Sequence, residues 1–156
     1  MNSNSSPLVD IYTDGACQGN PGPGGYAAIL RWRDEEKEIV EGFQHTTNNR
    51  MELSAVIAGL RALKYPCRVR IHTDSQYISR AINESWLDKW QKNGWKTSQK
   101  TEVKNQDLWE ELVQLMHVHK VEFIWVRGHS GHEYNELCDR LARRAAEKEA
   151  RKAVNR

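Results

Sequence analysis

Residues 11–25, IYTDGACQGNPGPGG, decide how the rest of this chain is read. A short apolar run ends in Asp14, and the segment after it is too rich in Gly and Pro for regular structure. An acid at the mouth of a strand, beside a loop that leaves backbone N–H groups exposed, is where a metal or a phosphate can be handled. Asp-Gly is equally the commonest tight-turn pair, so this stretch alone does not separate a site from a plain turn. The partners that would make it a site have to come from elsewhere in the chain.

Outward from that stretch, residues 8–13 read as a buried strand and residues 26–33 as a second, rich in aromatic and aliphatic side chains. Residues 34–37, DEEK, are expected to form a polar hairpin turn into a third strand over 38–44, which makes an antiparallel meander. The period then changes. Thr46-Thr47-Asn48-Asn49 offers capping side chains, and Leu53, Val56, Ile57, Leu60 and Leu63 recur at helical spacing until Tyr65-Pro66 stops them. Val69, Ile71 and Thr73 alternate as a fourth strand ending at Asp74, and a helix from about Ser75 carries Ile78, Ala81 and Ile82. A Trp- and Lys-rich segment follows, then a helix capped by Asn105 that buries Leu108, Leu112 and Leu115. Val121, Phe123 and Trp125 make a fifth strand, the loop 128–132 follows, and a last helix packs through Leu137, Cys138, Leu141 and Ala145.

The order β-β-β-α-β-α-α-β-α predicts an α/β fold: a five-stranded mixed sheet, the meander plus two parallel strands, flanked by helices on both faces. If the fourth strand lies parallel beside the first, a right-handed crossover brings both carboxyl ends to one edge, and Asp14 and Asp74 become neighbours. Residues 1–7 are expected to be a disordered start, 8–146 the single catalytic domain, and 147–156 a charged helix end or tail.

Composition sets outer bounds. With 156 residues, 38% hydrophobic and 28% charged, the chain is of a size and make-up for one globular domain. No apolar run reaches the roughly 20 residues of a membrane span, and MNSNSSP has no signal-peptide core, so a cytoplasmic location with no membrane partner is the expectation; a monomer is expected as well. Three widely spaced cysteines, Cys17, Cys67 and Cys138, suggest neither a disulfide framework nor a zinc pair. The net charge of +2 is small, but its distribution is uneven. Between Trp86 and Lys104 five Lys oppose Asp88 and Glu102, among three of the six Trp. From Arg143 to Arg156 six basic residues oppose only Glu147 and Glu149.

Asp14 and Asp74 each end an apolar strand, and buried carboxylates without partners are costly, so a bound cation is the natural compensation. Glu52 sits at the border of its helix's apolar stripe, one turn from the cap, and Asp139 lies one turn after Asn135 on the last helix. An all-carboxylate set favours Mg²⁺, with Mn²⁺ as a substitute, over Zn²⁺. Two such ions can activate a water and stabilise the leaving oxygen of a phosphodiester.

The strings TDGACQGNPGPGGYAAIL, TTNNRMEL, TDSQY, GWKT, KNQDLW and VRGHSGHEYNELCDRLA occur in this order and resemble type 1 ribonuclease H, close to its bacterial form, over about nine-tenths of the chain. The resemblance implies a metal-dependent endonuclease that cuts the RNA strand of an RNA–DNA hybrid by two-metal-ion catalysis, leaving 5′-phosphate and 3′-hydroxyl ends. It puts one or two ions on Asp14, Glu52, Asp74 and Asp139, and a proton-transferring histidine at His129. It implies 2′-hydroxyl contacts from Gly15, Cys17, Asn20, Asn48, Glu52 and Gln76, the groups a protein needs to tell RNA from DNA. Thr47 and Asn49 would hold the DNA strand. Trp86, Lys92 and Lys96 fall in the family's basic protrusion, which is less basic here than in some relatives because Gln91 and Asn93 stand where Lys or Arg can occur.

Three rival readings are weaker. Gly22-Pro-Gly24 with Ala27 mimics a dinucleotide fingerprint, but a strand and not a helix is expected after it. Cys17, His129 and Asn135 have the chain order of a thiol protease without its local signature. A catalytically inactive hybrid-binding module would have lost an acid, and all four are present.

Overall fold

In the computed structural model the described residues are 6–97, 99, 101–127 and 132–154. The meander is β1 (Leu8–Cys17), β2 (Gly22–Trp32) and β3 (Glu35–Thr46), followed by α1 (Asn48–Arg61) and β4 (Arg68–Thr73). Then come α2 (Gln76–Asn83), α3 (Trp86–Lys92), α4 (Gln106–Val118), β5 (Lys120–Trp125) and α5 (Glu133–Val154). The sheet order is β3-β2-β1-β4-β5, with β1 antiparallel to β2 and parallel to β4, and β4 parallel to β5. This is the mixed five-stranded sheet expected, with helices on both faces.

Strand β2 is buried from Gly24 to Leu30, as a central strand covered on both faces should be. Its alternate residues divide between two cores. Ala28 and Leu30 join Ile11, Leu53, Val56, Leu60, Val69 and Ile71 on the α1 side, while Ala27 and Ile29 meet Cys138 and Ala142 of α5 on the other. Leu53, Val56 and Leu60 have no exposed surface, and each such side chain contributes about 1.5–3 kcal/mol of burial.

Several boundaries differ from the sequence expectation, each for a physical reason. Gly22–Gly25 are not loop but the first part of β2, paired with Ala16 and Cys17 of β1 and with β3 across an irregular step between Gly22 and Gly24. The glycines serve close approach: a Cβ on Gly25 would lie 2.5 Å from Ala145 Cβ, so α5 rests directly on β2. The loop proper is only Gln18–Pro21, with a cis Asn20–Pro21 bond. The hairpin turn is Arg33-Asp34 and not residues 34–37; Glu35 already pairs with Trp32, because an edge strand tolerates charge that a buried one does not. The Trp/Lys segment contributes the extra helix α3, so three helices and not two separate β4 from β5. Asn105 precedes α4 with φ 61° and makes no side-chain cap; its amide nitrogen donates to Tyr77 Oη at 3.1 Å instead.

A candidate metal centre at the carboxyl edge of the sheet

The parallel pair β1/β4 runs in register from Leu8 opposite Arg68 to Tyr12 opposite His72. Two residues further on, the same offset puts Asp14 level with Asp74. Asp14 does not end β1, as expected, but continues it, opposite Ala27 of β2. Helix α1 supplies the third acid. Its first turn is fixed by Thr47, whose Oγ1 accepts from Arg50 N at 3.2 Å, and by Asn20, whose Oδ1 accepts from Asn48 N at 3.1 Å. This turn lies so close to β1 that a Cβ on Gly15 would sit 2.6 Å from Glu52 N. Gly15 therefore sets the distance at which Glu52 meets Asp14.

One carboxylate oxygen each from Asp14, Glu52 and Asp74 lies within 4.8 Å of the others. Asp14 is 5% exposed and Glu52 7%, and Glu52 Oε2 is buried without a hydrogen-bond partner. Gly15 N donates to Asp14 Oδ1 at 2.9 Å. Burial, reinforced by the Asp74 charge, pushes the Asp14 carboxyl from its ordinary 3.8 up to about 8, and Asp139 adds to the push. Burial also drives Glu52 well up, followed by the charges of Asp14, Asp74 and Asp139. So much negative charge in so little water favours either protonation or a cation. The donor set is wholly oxygen, and it fits a hard divalent ion.

Asp139 enters from α5 and interacts with Asp14, but it is less buried and its Oδ2 is paired with Arg143 Nη2 at 2.9 Å. That partner was missed in the sequence, although the four-residue spacing on one helix signals it. Asn135, one turn earlier, is buried; its Nδ2 donates to the His72 carbonyl at 3.0 Å and pins α5 to the end of β4.

The nucleic-acid residues expected from the sequence divide by position. Gly15, Cys17, Asn20, Thr47, Asn48 and Asn49 surround the β1 end and the α1 start, and Gln76 is exposed at the start of α2. Cys17 Sγ lies 3.2 Å from the Gly19 carbonyl and 3.4 Å from that of Thr46. All three cysteines are free, with Cys67 and Cys138 buried. Trp86 is half-buried with its ring 6.2 Å from Trp90, and Trp90 packs at 5.7 Å on the fully buried Trp109, so this segment is anchored to the core. Lys92 and Lys96 are exposed. His129, with Gly128 and Gly131, lies outside the described residues.

Comparison with known proteins agrees with this geometry. The RNase H family model matches residues 6–147. The chain is 60% identical to the ribonuclease H of Oleidesulfovibrio alaskensis over 135 residues, 86% of this chain and 88% of that one. It is 58% identical to the ribonuclease H of a Thermoanaerobacter species over 140 residues, 90% of each. Among solved structures, LC9-RNase H1, a type 1 enzyme with the type 2 active-site motif, superposes with a TM-score of 0.81 at 36% identity, covering 92% of this chain and 74% of that one. LC11-RNase H1, solved in complex with an RNA/DNA hybrid, gives 0.63 at 25%, covering 90% and 97%. Among the described residues no helix is long and apolar enough to cross a membrane. With its parallel strands delivering Asp14 and Asp74 to one edge and α1 delivering Glu52, the chain belongs to the ribonuclease H family of metal-dependent endonucleases.

Proposed function

We propose that this protein hydrolyses the RNA strand of RNA–DNA hybrids with Mg²⁺, or Mn²⁺ in its place, held as one or two ions by Asp14, Glu52, Asp74 and Asp139. The observation that carries this reading is the convergence of the buried Asp14 and Glu52 with the half-buried Asp74, one Glu52 oxygen being left unpartnered. Removing water from Asp14 and Glu52 beside a third carboxylate is costly unless a cation compensates them. When bound, divalent ions supply Lewis acidity toward the scissile phosphate and the attacking water.

The chain's own residues hold and orient. Asp14 and Glu52 are held by β1 and the first turn of α1, elements set by packing and so pre-organised. Asp139 is shared with Arg143, which makes it the adjustable member of the set. In the reaction the water gives up a proton as its oxygen bonds to phosphorus, the bond from phosphorus to the 3′ oxygen breaks, and that oxygen takes up a proton. The products carry 5′-phosphate and 3′-hydroxyl ends. His129 is assigned to moving protons in this step, by the resemblance of its motif.

Gly15, Cys17 through its backbone, Asn20, Asn48, Glu52 and Gln76 are assigned to the ribose 2′-hydroxyls, the groups DNA lacks. The Asn20–Asn48 hydrogen bond supports this by joining the loop and the helix start into one surface. Thr47 and Asn49 are assigned to the DNA strand. Trp86, Lys92 and Lys96 are assigned to its phosphates further along, Lys92 and Lys96 being exposed on a segment held by Trp90.

The chemistry of the ends tests the reading. RNA fragments released from a hybrid should be extended directly by a polymerase that requires a 3′-hydroxyl. Fragments extended only after removal of a 3′-phosphate would contradict the proposed products.

A further inference from the structure

Apart from Arg143, the basic stretch at the end of the chain is not used by the site described above. Helix α5 carries it without a break to Val154. Cys138, Ala142 and Ala146 of that helix are buried against the sheet, while Arg140, Arg144, Glu147 and Arg151 are exposed. The spacing of these four, i, i+4, i+7 and i+11, places them on one stripe of the helix. Arg143 flanks the stripe and reaches Asp139 at 2.9 Å. Lys148 and Lys152 flank it further along. Glu149 is turned toward β3, where it accepts from Gln44, and it pairs with Lys152, whose Nζ lies 3.3 Å from its Oε1. Glu147 is the one acid on the stripe.

The stripe leads somewhere specific. Its far end shares a cleft of about 420 Å³ with the loop after β1, lined by Gln18, Glu147, Ala150, Arg151 and Val154. That loop also carries Asn20, which holds the α1 start. The stripe thus begins beside the metal-binding acids and ends beside the loop assigned to ribose. From Asp139 to Arg151 is twelve residues, or about 18 Å of helix, the length of about five nucleotides of one strand.

From this placement we infer that Arg144 and Arg151 of α5, with Gln18 beside them, form a further nucleic-acid contact that grips the phosphate backbone of the bound hybrid beyond the cleaved bond. Charge complementarity and continuity with the acid site carry the inference, which rests on the hybrid-cleaving function proposed above. Arginine suits the task because its fork pairs with phosphate oxygens and holds its charge at any working pH.

The test compares Arg144→Gln/Arg151→Gln with the unaltered chain and with Lys64→Gln/Lys120→Gln, which removes the same charge at the other end of the sheet. Binding of a 20-base-pair hybrid is measured across salt concentrations, each pair of substitutions in an Asp74→Asn background so that cleavage does not intrude. Cleavage is measured without that change. The arginine variant should lose about 1.4–1.8 from the slope of log affinity against log salt, for two phosphate contacts. Its KM should rise about three- to ten-fold with kcat unchanged, and the effect should shrink on a hybrid of about eight base pairs. Arg144→Lys/Arg151→Lys should recover most of the slope. An arginine variant with unaltered slope and KM, or one matched by the lysine control, would overturn the contact. Failure of the unaltered chain to cut the hybrid would instead count against the function, and the binding slopes would still decide the contact.

Discussion

Asp14, together with Glu52, is where the cost of the site lies. In metal-free protein, folding draws a proton onto the Asp14 carboxyl across the interval from its ordinary 3.8 to about 8. The folded state there binds more protons than the unfolded one, so this group's contribution to stability falls as pH rises through that interval. Asp14→Asn removes the charge and keeps the shape. In chelator, the variant should melt a few degrees above the unaltered protein at pH 8, with the gap closing toward pH 4, and it should be inactive. Thermal scans at the two pH values check this; a variant that melts lower at pH 8 would contradict the charge argument. Asp14 and Asp74 were legible in the sequence because each follows an apolar run. The Arg143 partner of Asp139 was not read, since a basic residue one turn away on an exposed helix is ordinary until the acid it faces has a task.

At the scale of elements, the decisive contact is between β1 and the first turn of α1. Gly15 was read as a substrate contact, and the structure gives it a packing task as well, because any Cβ there strikes the backbone at Glu52. Gly15→Ala should push α1 away, lower stability by about 1–3 kcal/mol, and reduce kcat at least ten-fold with a smaller change in KM. Denaturant melts and steady-state kinetics on folded variant test it, and wild-type kcat would show that the approach of α1 does not set the site. Helix α1 was legible because its cap and its apolar spacing are local signals. The start of β2 was not: its glycines and proline read as loop until α5 is seen lying on Gly25. Asn105 misled in the same way, since tertiary partners, Tyr77 and Arg50, claim the side chain that would otherwise cap α4.

Over the whole molecule, the parallel pairing of β1 with β4 turns acids far apart in sequence into neighbours, and that pairing followed from the order of elements and the handedness of crossovers. The placement of α5 was not legible to the same extent. Its apolar residues announce a packed helix, but not that it crosses β1, β2 and β3 and brings its basic end to the loop after β1. This edge of the sheet, charged with divalent ion, is proposed to cut RNA opposite DNA. The most direct measurement uses a hybrid labelled separately on each strand, incubated with Mg²⁺ and either the unaltered protein or Asp74→Asn. The RNA strand alone should be cut, only by the unaltered protein, and only while the ion is present. Cleavage by Asp74→Asn at the same rate, cleavage in chelator, or an intact RNA strand with both Mg²⁺ and Mn²⁺ would contradict it.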